Sequence, residues 1–460
     1  MTKELNLNQK LKLAIVSSYD EGCGNASYSH ALKVAFSEVV DVDVLALNLN
    51  LLQRRGSFTS ISADEHIREI AAKLRSYDLV NIQFEVGLYG QKPVDIFRRF
   101  AILAEASLNL IVTMHRVDPL EDEDNFSLKN KVKSVLSSRH RRKKIQSSYP
   151  LLYKKIVDYC QVRSLKKNTW ICVHTKRELT LVRDVYKMKQ CFDFPLAFLL
   201  PHDRADVLGS SKRGEFLRRY QFPENAKVVG VFGFFGQYKG VETALRALHL
   251  LPSNYYLGIF GGVHPQIIRP NTQIDPYLNT ILRFFFEPEV KLDQVESHRE
   301  AFFNDFRFFR LSRNKISKYK NEPNEQVYFS SHGRNTLMER ARFIGSLSDP
   351  HFFEALTLCD AVVLPYLEVG QSMSGVFALA TELKAKLYCA NNHSFNETLR
   401  YYGDVAEVFD IGNYIQLMQK IKTGARDRGL NQEVAYSKYN VRGLVGIYLK
   451  HFGVSVSDDN

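Results

Sequence analysis

The sequence is poor in cysteine and in long apolar runs. Its six cysteines are spread over 460 residues, with no CxxC pair and no metal-ligand spacing, which argues against a disulfide framework and a structural zinc site. No apolar run approaches the ~20 residues that a membrane-spanning helix needs. The first residues, MTKELNLNQK, lack the apolar stretch of a signal peptide. We therefore expect a cytoplasmic protein.

Two common nucleotide-binding signatures are also missing. The segment Gly22-x-Gly24-x-x-Ser27 departs from the GxGxxG dinucleotide fingerprint at its third position, and the second strand, VLALNLN, does not end in an acidic residue. The segment GFFGQYKG lacks the GxxxxGK[ST] spacing of a P-loop. NAD binding is therefore not expected, and the small residues at 22–27 favour a loop that a substrate can approach closely.

What the chain does contain is a repeated alternation of strands and helices. A length of 460 residues suits two domains of roughly 200 residues each, and the alternation indicates parallel βαβ units. The expected strands are Leu11–Ser17, Val42–Leu47, Asp78–Gln83, Asn109–Met114, Trp170–His174 and Phe198–His202, then Lys227–Phe232, Tyr256–Phe260, Ala341–Ile344, Ala361–Leu364 and Lys386–Cys389. The expected helices include one from near Ser27, His66–Arg75, Val241–Leu251, Pro350–Cys359, Val376–Lys384 and a terminal helix or pair over Ala435–Phe452.

Two segments interrupt this alternation. A basic stretch at 129–167, within a segment at 126–167 that we expect to be helical, carries much of the net charge of +12. It suits a solvated helix face, a contact with an anionic membrane or, least favoured, nucleic acid, because no aromatic residues are interleaved for base stacking. A Phe-rich stretch at about 269–326 has the composition of an insertion that packs on the second domain.

The two most informative segments are Val229–Gly240 and Ala361–Gly375. Each is an apolar run that breaks into a Gly- or Ser-containing loop and then enters a helical pattern, the arrangement that presents backbone N–H groups to a phosphate. Lys239 can neutralise a diphosphate in the first loop. In the second, Gln371, Ser372, Ser374 and Gly375 suit a pyrophosphate, and Glu368 can hold sugar hydroxyls. The alternative for Glu368 is an exposed carboxylate beside a helix cap.

Three further residues lie at or near the ends of expected strands in the first half. His115 ends the fourth strand, where it can donate to a sugar or phosphate or act as acid or base; the alternative is a loop histidine with satisfied hydrogen bonds. Glu85 occupies the same kind of position after the third strand. His202 is equally placed but lies near the expected domain crossover.

Taken in order, these segments resemble the retaining group 1 glycosyltransferases (family GT4) of the GT-B fold. The matching segments are SSYDEGCGNASYS, IQFEVGLYG, TMHRV, FLLPH, GFFGQYKG, FGGVHP, ARFIGSLSD and DAVVLPYLEVGQSMSGVFALATELKAK. The resemblance implies an α/β protein of two Rossmann-like doubly wound domains that face a cleft. It implies an acceptor-binding domain at 1–205, a nucleotide-sugar-binding domain at 206–435 and a crossover helix at 436–460 that returns to the first domain.

The resemblance also implies roles for particular residues. Lys239 matches the diphosphate-binding lysine, His115 the histidine that contacts the transferred sugar, and Glu368 belongs to the donor-sugar loop; we treat these three as catalytic. The residues expected to bind the donor are Gly22, Gly24, Phe234, Gly236, Lys239, Gln371, Ser372, Met373, Ser374 and Gly375. Those expected to bind the acceptor or sugar are Asn25, Tyr28, Glu85 and His202. The family's chemistry needs neither a metal nor a cofactor beyond the UDP- or GDP-linked co-substrate.

The donor site departs from the family pattern at several positions. Phe234 stands where the family commonly has an arginine, and Phe84 where a histidine is frequent. Gln371 and Leu379 stand at or near the paired glutamates, and Glu368 is a candidate substitute for the first. The lost guanidinium removes a strong contact, which Arg334 or Arg340 are candidates to replace.

The sequence thus favours a glycosyltransferase that moves a sugar from a nucleotide donor to a glycan or lipid-linked glycan in surface polysaccharide synthesis. The basic stretch at 129–167 would hold it at the inner face of the plasma membrane, and no nucleic-acid partner is expected. Two alternatives remain open: a GT-B scaffold without catalysis that serves as a partner subunit, and a nucleotide-sugar epimerase or phosphorylase on the same fold.

Overall fold

The computed structural model of the chain describes residues 11–19, 21–54, 56–120, 149–262, 276–278, 280–281, 337–368 and 372–454. Within these ranges lie two six-stranded sheets in which every pair of neighbouring strands is parallel. The predicted α/β class with two doubly wound units is therefore confirmed.

The first sheet is built from strands in the order β2-β1-β3-β4-β5-β6. Its inner strands are almost wholly buried, which explains their continuous apolar runs. The strands are β1 Lys12–Ser17, β2 Asp41–Ala46, β3 Leu79–Phe84, β4 Asn109–Met114, β5 Thr169–Val173 and β6 Cys191–Asp193. The helices around it are α1 Gly24–Ser37, α2 Leu49–Leu52, α3 Ser57–Leu74, α4 Val86–Tyr89, α5 Pro93–Ala106, α6 Tyr149–Ser164 and α7 Lys176–Thr180.

The second sheet has the order β12-β11-β10-β7-β8-β9. Its strands are β7 Lys227–Phe232, β8 Tyr255–Phe260, β9 Ala341–Phe343, β10 Ala361–Leu364, β11 Leu387–Ala390 and β12 Glu407–Phe409. The helices are α8 Pro201–Ser210, α9 Arg213–Arg219, α10 Val241–Leu250, α11 Leu337–Arg340, α12 Asp349–Leu358, α13 Gly375–Glu382, α14 His393–Tyr402, α15 Tyr414–Thr423, α16 Gly429–Lys438 and α17 Val441–Phe452. Asparagine side chains cap the amino ends of α14 and α17, accepting from Phe395 N–H and Gly443 N–H.

The last helix crosses back to the first sheet, as predicted. The hydroxyls of Tyr448 and Thr113 lie 2.5 Å apart across 335 residues of sequence, and the ring of His451 packs 4.1 Å from that of Trp170. The predicted boundary at 205 falls inside α8 and that at 435 inside α16. The division into domains at those residues stays a prediction.

One predicted strand is wrong. Residues 194–200 are extended but belong to no strand, and Pro201 begins α8. The backbone N–H groups of Phe198 and Leu199 donate instead to the carboxylate of Glu382, at 2.9 and 3.0 Å. The apolar run is therefore buried by the second domain and not by a neighbouring strand.

Parts of both interrupting segments lie outside the described residues. Of the basic stretch, 129–148 is outside, and α6 supplies helix from Tyr149 onward, in part as predicted. Of the Phe-rich stretch, Tyr277 and Ile281 are described and are buried against the second sheet. No helix among the described residues is long and apolar enough to span a membrane.

Candidate functional site

The two predicted loops meet at the point where the second sheet reverses its strand order. From β7 the chain runs outward through β8 and β9, then returns to β10 on the other side of β7. The loops after β7 and β10 therefore flank a crevice at the carboxyl ends of adjacent parallel strands, the usual ligand position in a doubly wound sheet. The Leu367 N–H joins them by donating to the Tyr238 carbonyl at 2.7 Å.

Lys239 ends a single turn of 3-10 helix, Gln237–Lys239, in the first of these loops. Its side chain is 6% exposed, and its Nζ lies 3.9 Å from the centre of the Tyr366 ring. Burial lowers the pKa of this ammonium. A buried cation is costly unless an anion or hydrogen-bond acceptor compensates it. The crevice therefore holds a positive charge that an anionic ligand would stabilise.

Tyr366 connects this lysine to the second loop. The Lys239 ammonium donates to the Tyr366 hydroxyl, and the Ser374 hydroxyl lies 3.5 Å from the same oxygen. Ser374 is the N-cap of α13, accepting from the Phe377 N–H at 3.4 Å. One tyrosine hydroxyl therefore joins the ammonium of one loop to the positive end of the helix that follows the other.

Two glycines allow the loops to come this close. Gly233 has φ +97°, and a Cβ there would lie 3.3 Å from Lys239 Nζ. Gly240 is left-handed, with φ +60°, and a Cβ would lie 2.1 Å from the Pro365 carbonyl oxygen. Side chains at these positions would push the loops apart, so glycine is needed at both for steric reasons.

Residues of the first domain close over the same crevice. A Cβ on Gly22 would lie 3.5 Å from the ring of Phe234, and a Cβ on Gly375 would lie 3.1 Å from the ring of Phe198. Gly24 begins α1, with open space around its Cα, and Asn25 follows in the first turn of the helix. Gly236 precedes the Lys239 turn, and a Cβ there would lie 3.1 Å from the Tyr238 ring. The predicted loop around Gly22 and Gly24 thus lies beside the loop after β7.

His115 and Glu85 follow neighbouring strands of the first sheet. His115 N–H donates to the Phe84 carbonyl at 3.0 Å, which holds the two strand ends together. Burial raises the pKa of Glu85 to about 7, an effect that Arg116 opposes; Arg116 itself pairs with Asp118 at 2.7 Å. A carboxyl group that titrates near neutral pH is suited to acid–base work.

His115 is paired with a second imidazole that we did not predict as a site residue, His174 at the end of β5. Their facing nitrogens, His115 Nδ1 and His174 Nε2, are 3.2 Å apart, and the rings are 5.0 Å apart between centres. The Tyr28 ring meets both edge-on and is itself buried. Burial lowers the pKa of His115 well below its usual value, and that of His174 to about 4.

A buried carboxylate, Glu178 of α7, joins the domains beside this pair. It accepts from the Val117 N–H at 3.1 Å, the Thr175 hydroxyl at 2.9 Å and the Ser372 hydroxyl at 2.8 Å. Burial raises its pKa to about 7, against the opposing effect of these hydrogen bonds. The Ser372 hydroxyl, predicted to face a phosphate, is therefore engaged with the first domain.

Other predicted residues are also engaged in protein contacts. The Met373 sulfur accepts from the Leu196 N–H at 3.1 Å and is buried. Glu368 is exposed, and its carboxylate accepts from the His393 N–H at 2.7 Å, at the amino end of α14. His202 is exposed on α8, 3.4 Å from Asp203. Gln371 lies outside the described residues.

The departures from the family pattern can also be located. The Arg340 guanidinium donates to the carbonyls of Leu248, Leu251 and Pro252, at 3.0 to 3.1 Å, so it closes the end of α10. Arg334 lies outside the described residues. Leu379 is buried in the core. The described residues therefore offer Lys239 as a cation of the crevice.

The sequence held a signal for one unpredicted residue. His174 ends an apolar strand just as His115 does, so the same argument applied to WICVH would have found it. Glu178 and Glu382 gave no such signal, because each lies within an ordinary helical pattern and its partners are 194 and 184 residues away.

Comparison with solved structures gives the same architecture at low identity. Sucrose-phosphate synthase from Thermosynechococcus elongatus matches with TM-score 0.58 and 15% identity, covering 97% of this chain and 100% of its own. An alpha,alpha-trehalose-phosphate synthase (UDP-forming) from Burkholderia xenovorans gives 0.55 and 11%, covering 96% and 99%. The Anabaena protein HepE in complex with UDP and glucose gives 0.52 and 12%, covering 96% and 99%. No family model matches the sequence, nor does any curated protein.

These neighbours are glycosyltransferases of the GT-B fold. The two parallel sheets, the crevice at the strand-order reversal and the returning last helix are the same architecture, so this chain has the GT-B fold. At identities of 11–15%, the likeness establishes the fold alone.

Proposed function

We propose that this chain is a glycosyltransferase that transfers a sugar from a UDP- or GDP-linked donor to a glycan or lipid-linked glycan. The observation that carries the proposal is the meeting of the Lys239 ammonium and the amino end of α13 at the Tyr366 hydroxyl. It lies at the strand-order reversal of the second sheet, where a phosphorylated ligand is expected.

The chemistry of glycosyl transfer suits this arrangement. Cleavage of the bond between sugar and diphosphate leaves negative charge on the departing diphosphate, and a fixed cation with a helix amino end stabilises that charge. HepE was crystallised in complex with UDP-glucose, which supports a nucleotide sugar as the donor here. Lys239 would take the diphosphate, His115 the sugar, and Glu368 would be an outer contact of the donor loop.

Several finer features belong to the proposal through the family resemblance. Transfer would proceed with retention of configuration and without a metal ion, in surface polysaccharide synthesis at the cytoplasmic face of the membrane. The described end of the basic stretch uses part of its charge internally: Lys154 pairs with Asp158 at 2.6 Å and Lys167 with Glu105 at 3.3 Å. A membrane contact would therefore depend mostly on the basic residues before 149.

The donor site is tested by nucleotide binding. UDP, GDP, ADP, CMP and their sugar conjugates are screened by thermal shift with the wild type, Lys239→Ala and the matched control Lys227→Ala. Lys227 is the first residue of β7, at the end of the strand away from the Lys239 loop, and its Nζ lies 5.2 Å from the centre of the Tyr255 ring. A ligand at about 100 times its Kd adds roughly 2.7 kcal/mol of stability.

We expect one nucleotide to stabilise the wild type and Lys227→Ala but not Lys239→Ala. Equal stabilisation of all three proteins would place the ligand elsewhere. No stabilisation by any nucleotide would overturn the proposal.

A second candidate is a GT-B scaffold without catalysis. It is favoured by Phe234 and Leu379 at donor positions, and by the engagement of Ser372 and Met373 in contacts between the domains. Donor hydrolysis and transfer to saccharide acceptors distinguish the two. Nucleotide-sugar binding with no turnover by either assay would favour the scaffold.

The membrane contact has its own test. Arg139, Arg141, Arg142, Lys143 and Lys144 are replaced by glutamine, and co-sedimentation with anionic vesicles is measured, neutral vesicles being the control. We expect weaker sedimentation with anionic vesicles, by roughly 1 kcal/mol per basic residue that lies near the surface, and unchanged nucleotide binding. Unchanged sedimentation would remove the membrane contact.

A further inference from the structure

The hydrogen-bond partners of His115 and His174 fix where two protons of the paired rings lie. On the His115 side, the Asn81 amide Nδ2 donates to the Ile111 carbonyl at 3.1 Å. A carbonyl only accepts, so Asn81 must turn its amide oxygen toward Gln83. The Gln83 amide nitrogen donates to that oxygen, which leaves the Gln83 oxygen to face His115 Nε2 at 2.8 Å. His115 Nε2 must therefore carry a proton.

The other end of the pair is fixed in the same way. His174 Nδ1 lies 3.0 Å from the Phe194 backbone carbonyl, which again only accepts, so Nδ1 must carry a proton. Between the rings, His115 Nδ1 faces His174 Nε2 at 3.2 Å. If both rings were neutral, two lone pairs would face each other there. A third proton completes the hydrogen-bonded chain and gives the pair one positive charge.

We propose that His115 and His174 titrate as one unit, which takes up a single shared proton when the anionic donor enters the neighbouring crevice. The inference rests on the proposed nucleotide-sugar site. It adds a positioning residue, His174, which acts through His115, and a second positive charge for a crevice in which Phe234 replaces an arginine. A fixed charge near the departing diphosphate stabilises it without reorganisation.

Ring contacts connect the histidine pair to the crevice. The Tyr28 ring packs edge-on against both imidazoles and, at 5.7 Å between centres, against the Phe198 ring. A Cβ on Gly375, the first residue of α13, would touch that same ring. The pair is therefore separated from the amino end of α13 by two packed rings. Across this low-dielectric path, an anion and a cation interact more strongly than in water.

The groups around the pair are compatible with one retained proton. Tyr28 of α1 packs against both rings, and Cys172 of β5 and Tyr448 of α17 interact with Tyr28. Two carboxyl groups lie next to the pair's neighbours: Glu178 is bonded to Val117 and Thr175, and Glu85 follows Phe84, whose carbonyl accepts from the His115 N–H. Burial raises the pKa of both carboxyl groups to about 7. Burial raises the pKa of the two phenols and the thiol, so all three are neutral near pH 7. Burial disfavours the third proton in the free protein, whereas the hydrogen-bonded chain and an anionic ligand favour it.

The test is the proton uptake that accompanies binding of UDP-glucose, whose diphosphate does not titrate near neutral pH. Calorimetry at about pH 7 in buffers of different ionisation enthalpy gives the number of protons taken up. We expect about one for the wild type and for the control His351→Gln, an exposed histidine. We expect about none for His174→Gln, whose amide can donate to the Nδ1 of a neutral His115. In the wild type, affinity should fall by up to tenfold per pH unit above neutrality, which is the slope of a one-proton linkage.

Nitrogen-15 NMR of the histidines in the free wild-type protein gives a second measurement that needs no nucleotide. We expect both rings to shift in a single coupled step at a pH below the usual histidine range, since burial lowers the pKa of both rings. UDP-glucose that binds without proton uptake would overturn the inference but leave the donor site intact. If no nucleotide binds, the proposed donor site is wrong, and the NMR titration alone tests the shared proton. Two independent titration steps, or one N–H per ring at every pH, would contradict the shared proton.

Discussion

The carboxyl edges of the two sheets carry different chemistry on the same architecture. At the edge of the first sheet, polar side chains bind one another: Asn81, Gln83, His115 and His174 form a chain, buried except at the half-buried His115, that ends on two backbone carbonyls. At the edge of the second, the Lys239 ammonium, the Tyr366 hydroxyl and the amino end of α13 meet beside glycines. The first edge fixes protons, whereas the second presents a cation and the amino end of a helix.

This difference fits a division of labour. Recognition of a diphosphate needs close backbone approach, which side chains would block. Positioning of a sugar and control of its protons need side chains held in one geometry. The two edges should therefore respond differently to substitution: the second to added volume, the first to lost hydrogen bonds.

The largest effect is expected from added volume at the second edge. Gly240→Ala places a Cβ 2.1 Å from the Pro365 oxygen at φ +60°, so we expect the free energy of unfolding to fall by on the order of 4 kcal/mol. The control is Gly412→Ala, at φ +74° with open space around it, which should cost about 1 kcal/mol. Urea denaturation measures both. Equal losses would show that the two loops are not in contact.

Breaking the hydrogen-bonded chain of side chains at the edge of the first sheet should give the next largest loss in the free energy of unfolding. Asn81→Leu removes the acceptor of Gln83 and leaves buried polar groups without partners, at a cost of about 3 kcal/mol. Asn109→Leu is the control, since its amide binds the Asp78 carbonyl at the exposed opposite end of β4. A cost for Asn81→Leu no greater than for Asn109→Leu would argue against the buried chain.

Substitution of Glu178, which joins the domains, should change the free energy of unfolding by a smaller amount that depends on pH. Its pKa is raised to about 7 in the folded state, so the folded protein binds the proton more tightly than the unfolded chain does. The stabilisation is then complete below the unfolded pKa of about 4.5 and is lost as the pH rises through 7. Relative to wild type, Glu178→Gln should gain up to about 3 kcal/mol between pH 5 and 8, measured by urea denaturation at each pH. A difference that does not vary with pH would contradict this.

The smallest effect is expected at the cap of α13. Ser374→Ala removes an acceptor that lies 3.4 Å from the Phe377 N–H, so the loss should be about 0.5 kcal/mol. Asn392→Ala removes a cap at 2.8 Å and should cost about 1 kcal/mol. Thermal unfolding compares the two. A larger loss at Ser374 would show that its contact with Tyr366 is the stronger one.

The sequence predicted most of the fold because its strands are continuous apolar runs between turn residues. Strands β4, β7 and β10 have the predicted bounds, and others differ by a residue or two. It failed at residues 198–202, where an apolar run that reads as a strand is bonded through its backbone to Glu382 of the second domain and then enters α8. The three-residue strands β6 and β12 were missed, whereas β9, of the same length, was predicted.

The candidate site was predicted only in part, again for a physical reason. Glycines and a lysine after a strand are local signals, so the sequence could single out Lys239, Gly236 and Gly375, which lie in or next to the loops after β7 and β10; their roles stay predictions. Whether Ser372 faces a phosphate or Glu178 depends on contacts between residues 194 apart, which local spacing does not encode.

The returning helix α17 has a consequence for the order of synthesis. Tyr448 meets Thr113 and Phe36 in the core of the first domain, yet the ribosome adds it 335 residues after Thr113. Throughout translation of the second domain, the nascent first domain therefore lacks the side chains of α17 that pack on Phe36 and Thr113. Chaperone engagement on the ribosome should persist until α17 has emerged, and should then end abruptly.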